Sequence, residues 1–311
     1  MPESSINYLG FGTAGITSLP SRRAAIRLLR TAFDAGIRHF DTAPLYGKGY
    51  AEQLLGDFAV GRRPAITITT KFGLGESGAL PLPAFLALPL NYYRKKWKGA
   101  AAPGTGEPAG SGQSVQGAPG QGSHAGPGQG AGPEAHPLPY RKIDRASIEK
   151  SLAASLQRLR TDYIDYYFLH EGLPGFLDPD ALEFLLDRKQ KGVIRRLGVA
   201  TDGFNLGSLG PRDLDGWDVL QYEAGEWQAP LRKRYPDKLH FVHSVLKHFD
   251  RQAAEPGVAG GTGGAGVAAE ASAGRMLAAQ KKTGLADKLL FSTRQRPRLQ
   301  QNIAGFIIGS C

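Results

Sequence analysis

The stretch Ile37-Arg38-His39-Phe40-Asp41-Thr42-Ala43-Pro44-Leu45-Tyr46-Gly47 runs from a short apolar segment into an aspartate and then a tyrosine. It reads as a strand that delivers polar groups at its C-terminal end. Two later stretches share the pattern: Ile66-Thr67-Ile68-Thr69-Thr70 leads to Lys71, and Tyr163-Ile164-Asp165-Tyr166-Tyr167-Phe168-Leu169 leads to His170. In parallel α/β architectures the loops after the strands carry the site. Asp41, Tyr46, Lys71 and His170 would therefore converge on one edge although they are far apart in the chain.

Helical periodicity fills the intervals. After Ser21, a candidate cap, Ala25, Leu28, Leu29 and Ala32 fall on one face, and Gly36 is a stop signal. Ala51, Leu54, Leu55 and Phe58 form a second stripe, which is core rather than a cofactor site. Asp144 is placed to cap a helix with Ile148, Leu152, Leu156 and Leu159 on one face, and Asp180–Lys191 predicts another. Further strands are expected at Arg196–Ala200, Val219–Tyr222, His240–Ser244 and Lys288–Ser292. The spacing suits repeated βα units.

Two blocks break the pattern. Residues 99–139 are mostly Gly, Pro, Ala and Gln, with few charges and no periodicity. Such a segment buries too little apolar surface to offset its ordering entropy, so it reads as a disordered insertion after strand three. Just before it, Tyr92 to Lys98 mixes aromatic and basic residues and reads as a solvated loop flank. Residues 253–274 read as a second low-complexity insertion, after strand seven, with Met276–Gly284 as the end of the next helix.

Gly10-Phe11-Gly12-Thr13-Ala14-Gly15 has the Gly-x-Gly-x-x-Gly spacing of a Rossmann nucleotide site, and Asp41 ends the next strand. In that motif the helix starts within the glycines, so that its N-terminus faces the pyrophosphate. Here Ile16-Thr17-Ser18-Leu19-Pro20 intervenes before Ser21. The glycines are better read as turn residues.

Lys and Arg number 38 against 28 Asp and Glu, a net charge of +10 that invites a polyanionic partner. The basic residues are scattered and no zinc-finger or RNA-binding signature accompanies them, so neither nucleic acid nor a membrane is the expected partner. A single cysteine, Cys311, excludes an intrachain disulfide and a cysteine-based metal site, and no metal is expected. The opening residues lack a signal-peptide pattern and no apolar run approaches spanning length, so a cytoplasmic protein is expected.

Asp41-Thr42-Ala43, Tyr46-Gly47, Thr70-Lys71-Phe72 and Leu169-His170, in this order, resemble the successive motifs of the aldo-keto reductases. The resemblance runs from Leu9 to about Ala304. It implies a single-domain parallel (β/α)8 TIM barrel and an NADPH-dependent oxidoreductase acting on a small-molecule carbonyl or sugar substrate. Asp41, Tyr46, Lys71 and His170 would be the catalytic set. An unperturbed phenol has a pKa of about 10. Tyr46 would therefore be helped as general acid by the Lys71 ammonium, which favours the phenolate and is held charged by Asp41, while His170 orients the carbonyl.

The same resemblance implies a cofactor set. Ser292, Arg294, Arg298, Gln301 and Asn302 match the segment that holds the adenosine 2′-phosphate and adenine, with Ser292 where lysine is frequent. Arg294 and Arg298 would then grip the phosphate, favouring NADPH over NADH. Gln221 matches a residue for the nicotinamide carboxamide and His243 a ring that stacks on nicotinamide, with Asp41, Thr13 and Ser244 completing the set. Ala200-Thr201-Asp202 stands where a serine-asparagine pair is usual.

Singly, each residue has a structural explanation: Asp41 as a turn cap, Lys71 as a solvated cation, Tyr46 as packing, His170 as a core histidine. Together, in family order, they favour chemistry. Asp165 reads as structural, and His39, His240 and His248 have no partner pattern. Two alternatives accompany the reductase reading: a sugar or alcohol dehydrogenase running oxidatively, and a nicotinamide-binding module without turnover.

Overall fold

Sequential strands joined by crossover helices pair in parallel, and eight such units close on themselves. The computed structural model describes residues 6–74, 142–246 and 265–310. Within them β1 (Leu9–Gly12), β2 (His39–Asp41), β3 (Thr67–Phe72), β4 (Ile164–His170), β5 (Ile194–Ala200), β6 (Val219–Glu223), β7 (Leu239–His243) and β8 (Lys288–Phe291) form a closed barrel in chain order. All eight pairings are parallel, and Gly10 opposite Leu290 closes the ring. The helices between and after the strands are α1 (Arg22–Asp34), α2 (Tyr50–Ala59), α3 (Arg145–Leu159), α4 (Pro179–Gln190), α5 (Gly203–Ser208), α6 (Gln228–Arg234), α7 (Ala265–Lys282) and α8 (Arg296–Ser310). This is the (β/α)8 barrel.

The helix starts are local chemistry. Ser21 accepts from the Ala24 N–H, and Asp144 accepts from the Ser147 N–H at 2.8 Å, each satisfying a donor that the first turn leaves open. Strand alternation sorts the side chains. Leu197, Val199, Leu220 and Val242 face the helices in the outer core, whereas Phe168, Ala200, Val219, Phe241 and Leu290 fill the barrel interior. Asp165 links strands as expected, accepting the Ile68 N–H at 2.9 Å and pairing with Arg63 and Arg195.

Two expectations change. Gly10 and Gly12 are strand residues, not turn residues. A Cβ on Gly10 would stand 2.4 Å from the Leu290 side chain and 2.7 Å from that of His39, so this glycine makes room for the interior layer. The second change concerns 253–274, of which residues from Ala265 onward are helical. Alanine is the best helix former, so this part of the block belongs to a helix and not to the loop insertion. The small residues also serve packing: a Cβ on Gly274 would lie 2.5 Å from the Asn302 carbonyl oxygen and 2.6 Å from Gly305 Cα, so α7 and α8 meet backbone to backbone. The block 99–139 and the part of the second block before Ala265 lie outside the described residues, as do Tyr92 to Lys98. Among the described residues, no helix is long and apolar enough to cross a membrane.

Candidate active site

The inward-facing residues at the C-terminal ends of the strands meet in a cavity of about 370 Å³. Asp41, Lys71, His170, Gln221 and His243 all line it, from β2, β3, β4, β6 and β7. Tyr46 enters from the loop after β2. That loop runs through Gly47, Lys48 and Gly49 with φ of 62°, 56° and 87°, the left-handed region that favours glycine. The Tyr46 carbonyl accepts the Ala51 N–H at 3.2 Å, which ties the loop to the first turn of α2.

Lys71 is the hub. Its Nζ donates to Asp41 Oδ1 at 2.7 Å, to the Thr42 carbonyl at 2.9 Å and to Tyr46 Oη at 3.5 Å. The second oxygen of Asp41, Oδ2, accepts from Gln221 Nε2 at 2.9 Å. Lys71, Asp41 and Gln221 are all at most 5% exposed. Burial alone would push the Lys71 ammonium down, but the charges and hydrogen bonds of Asp41 and Tyr46 outweigh it and hold the pKa above the ordinary lysine value. Lys71 is therefore a fixed cation.

The Tyr46 hydroxyl departs from expectation. The Lys71 charge is its largest single influence and favours the phenolate, yet burial, the Asp41 charge and Glu171 together raise the pKa above that of a free phenol. Tyr46 thus stays a phenol at neutral pH, the form that has a proton to give. The His170 ring lies edge-on to Tyr46, with centroids 6.3 Å apart. Burial first, and then the charges of Lys71 and His243, lower the His170 pKa to about 3. His170 is a neutral imidazole.

This lowering has a sign for stability. The unfolded imidazole takes up a proton near 6.5, while the folded one resists until about 3, so the unfolded chain binds more protons between those values. Stability therefore falls as pH drops through that window. His170→Asn, which has no such group, is expected to lose less stability than the parent between pH 7 and pH 4, measured by urea midpoints. His39 and His240 share the direction and remain in both proteins, so they cancel in the comparison.

The expected cofactor residues divide. Gln221, His243, Ser244 and Ser292 line the cavity. Thr13 does not: it is fully buried, and its hydroxyl and N–H both donate to the Asp41 carbonyl. At the end of β1 the flanking Gly12 and Ala14 are turned to the cavity instead. Arg294 packs across Gly15, at 3.2 Å from where a Cβ would be, which brings it to the β1 side of the cavity. Arg298 and Gln301 are exposed on α8, outside the cavity lining, while Asn302 on the same helix is buried. Its Oδ1 has no hydrogen-bond partner among the described residues. Asp202 caps α5 by accepting the Asn205 N–H at 2.8 Å, so only Thr201 of the variant pair after β5 lines the cavity. Glu171, which the sequence reading passed over, also lines it.

Comparisons with known proteins bear on the family and on the fold. The model of the Aldo/keto reductase family matches residues 8–105 and 134–208. An uncharacterized oxidoreductase of Bacillus subtilis, YqkF, is 24% identical over 199 residues, 64% of this chain and 46% of that protein. Pyridoxal 4-dehydrogenase of Microbacterium luteolum is 43% identical over 72 residues, 22% of this chain and 21% of that protein. The chain thus aligns with less than half the length of these curated relatives. Among solved structures, a putative aldo-keto reductase from Pseudomonas aeruginosa superposes with a TM-score of 0.61 at 19% identity, covering 97% of this chain and 90% of that one. An aldo-keto reductase from Klebsiella pneumoniae in complex with NADPH gives 0.56 at 16% identity, covering 96% and 85%. At these identities the structures speak for the fold. The family model, matched across more than half of a chain whose eight parallel strands close into a barrel, speaks for descent, and this chain belongs to the aldo/keto reductase family.

Proposed function

We propose that the protein is a nicotinamide-dependent oxidoreductase that interconverts a small carbonyl compound and its alcohol, with Tyr46 as the proton donor in reduction. The observation that carries this is the buried Lys71 ammonium, 2.7 Å from Asp41 Oδ1 and 3.5 Å from Tyr46 Oη at the floor of an open cavity. A phenol facing a cavity beside a fixed cation gains stabilisation as it becomes phenolate. That gain exists only once the proton has begun to leave, which is where catalysis needs it.

The residues have separable tasks. Tyr46 gives its proton to the substrate oxygen as negative charge develops there. Lys71 offsets the phenolate charge, and Asp41 fixes the Lys71 ammonium in place. His170, neutral at working pH, donates a hydrogen bond from one ring nitrogen and so orients the carbonyl oxygen toward Tyr46. In the oxidative direction the same groups run backwards, with the Tyr46 phenolate as base.

The cavity lining fits a nicotinamide nucleotide. An amide, hydroxyls and an imidazole are among its lining groups, in Gln221, Thr201, Ser244, Ser292 and His243. The unsatisfied Asn302 Oδ1 is an acceptor that an adenine amino group would satisfy. Arg294 and Arg298 would hold a 2′-phosphate, and Gln301 the adenine edge. When bound, the nucleotide supplies the hydride. Gln221 already donates to Asp41, so it would reach a carboxamide only with its remaining amide capacity, and Asp202 is engaged at its cap. These two departures favour, as a second reading, a module that binds the nucleotide without turnover.

Consumption of NADPH and of NADH with a panel of aldehydes, ketones and sugars tests the proposal. No binding of either nucleotide would overturn both readings, and binding without turnover would favour the module. Cofactor choice has its own test in Arg298→Ala. If Arg298 holds the 2′-phosphate, affinity for NADPH falls about ten- to a hundredfold by fluorescence titration, as a charge-assisted contact of roughly 1.5–3 kcal/mol requires, and NADH is much less affected. Equal losses would remove Arg298 from that role. A cytoplasmic location and small-molecule partners accompany this reading.

A further inference from the structure

Glu171 lines the same cavity as Tyr46, Lys71 and His170, and in the proton transfer just described it neither gives nor takes a proton. Its backbone has φ of 48°, a left-handed conformation that costs energy in a residue other than glycine. Its N–H donates to the Ala200 carbonyl at 2.7 Å, a last bond to β5 just after β4 ends at His170. The carboxyl is held on one side, where Oε2 accepts from the hydroxyl of the buried Thr201 at 3.4 Å. Its Oε1 has no hydrogen bond among the described residues. A strained residue that lines the cavity thus keeps one carboxylate oxygen without a hydrogen bond among the described residues.

The charges around it narrow what that oxygen can meet. Lys71 is already paired with Asp41, and among the described residues lining the cavity there is no arginine to hold an anionic group. A carboxylate accepts a hydrogen bond from a hydroxyl more strongly than a neutral acceptor does, and it repels another carboxylate.

We infer that Glu171 is a specificity-determining residue, whose Oε1 accepts a hydrogen bond from a hydroxyl borne close to the substrate carbonyl. It favours neutral hydroxylated aldehydes over plain aldehydes and disfavours carbonyl compounds that carry a carboxylate. The inference rests on the carbonyl-oxidoreductase reading above.

The test compares kcat/KM for glyceraldehyde, propanal and glyoxylate in the parent, Glu171→Gln and Glu171→Leu, with NADPH and with NADH. The glyceraldehyde-to-propanal ratio is expected to fall about tenfold or more in Glu171→Leu, the size of a lost hydrogen bond to a charged group, and by less in Glu171→Gln, which keeps a neutral acceptor. The glyoxylate-to-propanal ratio is expected to rise in both. These ratios do not depend on the amount of folded enzyme, so partial loss of folding leaves the test valid. A variant that does not fold at all hands the decision to Glu171→Gln. Unchanged ratios, or parallel losses on glyceraldehyde and propanal, overturn the role of Glu171 alone. A parent that reduces none of the three with either nucleotide overturns the underlying reading, and the inference with it.

Discussion

Tyr46→Phe is expected to lower turnover by about a hundred- to ten-thousandfold, the usual contribution of general acid catalysis, while nucleotide affinity and melting temperature stay near those of the parent. The substitution removes one oxygen. That oxygen sits 3.5 Å from Lys71 Nζ, a long contact that contributes little to the ground state. In the proposed mechanism its value arises when the proton leaves, so the loss belongs in kcat and not in nucleotide binding. The half-buried ring keeps its edge contact with His170, which preserves packing. Single-turnover kinetics would separate this step from product release. Near-normal reduction by Tyr46→Phe would show that the proton comes from another group.

Lys71→Met is expected to fail in two ways at once. Activity should fall by a comparable factor, because the phenol loses the one large influence that favours its ionised form. Stability should fall as well, by about 3–5 kcal/mol, because removing one partner of a buried ion pair strands the other. Asp41 would keep only the Gln221 contact for its carboxylate, in a place where little water reaches. Asp41→Asn added to Lys71→Met removes the stranded charge, so the double variant should recover part of the stability and none of the activity. Urea unfolding of the four proteins in this cycle measures the coupling. A Lys71→Met protein as stable as the parent would mean that the pair is more solvated than its burial implies.

Much of this site can be read from residue order alone, because a parallel barrel turns linear order into circular order. A polar residue at the end of an apolar run is a visible signal, and Asp41, Lys71 and His170 each carry it. Ser21 and Asp144 were visible as caps because capping depends on a few adjacent residues. Asp165 was visible as structural because it lies inside its strand, away from the site edge.

What escaped depends on direction and packing. Thr13 sits in the expected stretch, but one step of strand parity turns its hydroxyl to the Asp41 carbonyl and away from the cavity. Glu171 lines the cavity through a backbone angle that no periodicity encodes. The direction of the Tyr46 shift was missed because the cation beside it was visible in the sequence, whereas the burial and carboxylates opposing it were not. The contact at Gly274 escaped because a missing side chain, not an apolar stripe, lets α7 approach α8 there.

The hydrogen bond from Gln221 to Asp41 joins residues 180 positions apart in the chain. During vectorial synthesis, Asp41 and Lys71 leave the ribosome early and can meet within a partial sheet, but the amide that holds the second carboxylate oxygen arrives only with β6. β8 follows later still, and with it the pairing to β1 that closes the ring. Until then the carboxylate is exposed to water on the side that the finished barrel encloses. Site assembly is therefore expected late in folding, with the full set of contacts around Asp41 completed only after β6 has joined the sheet.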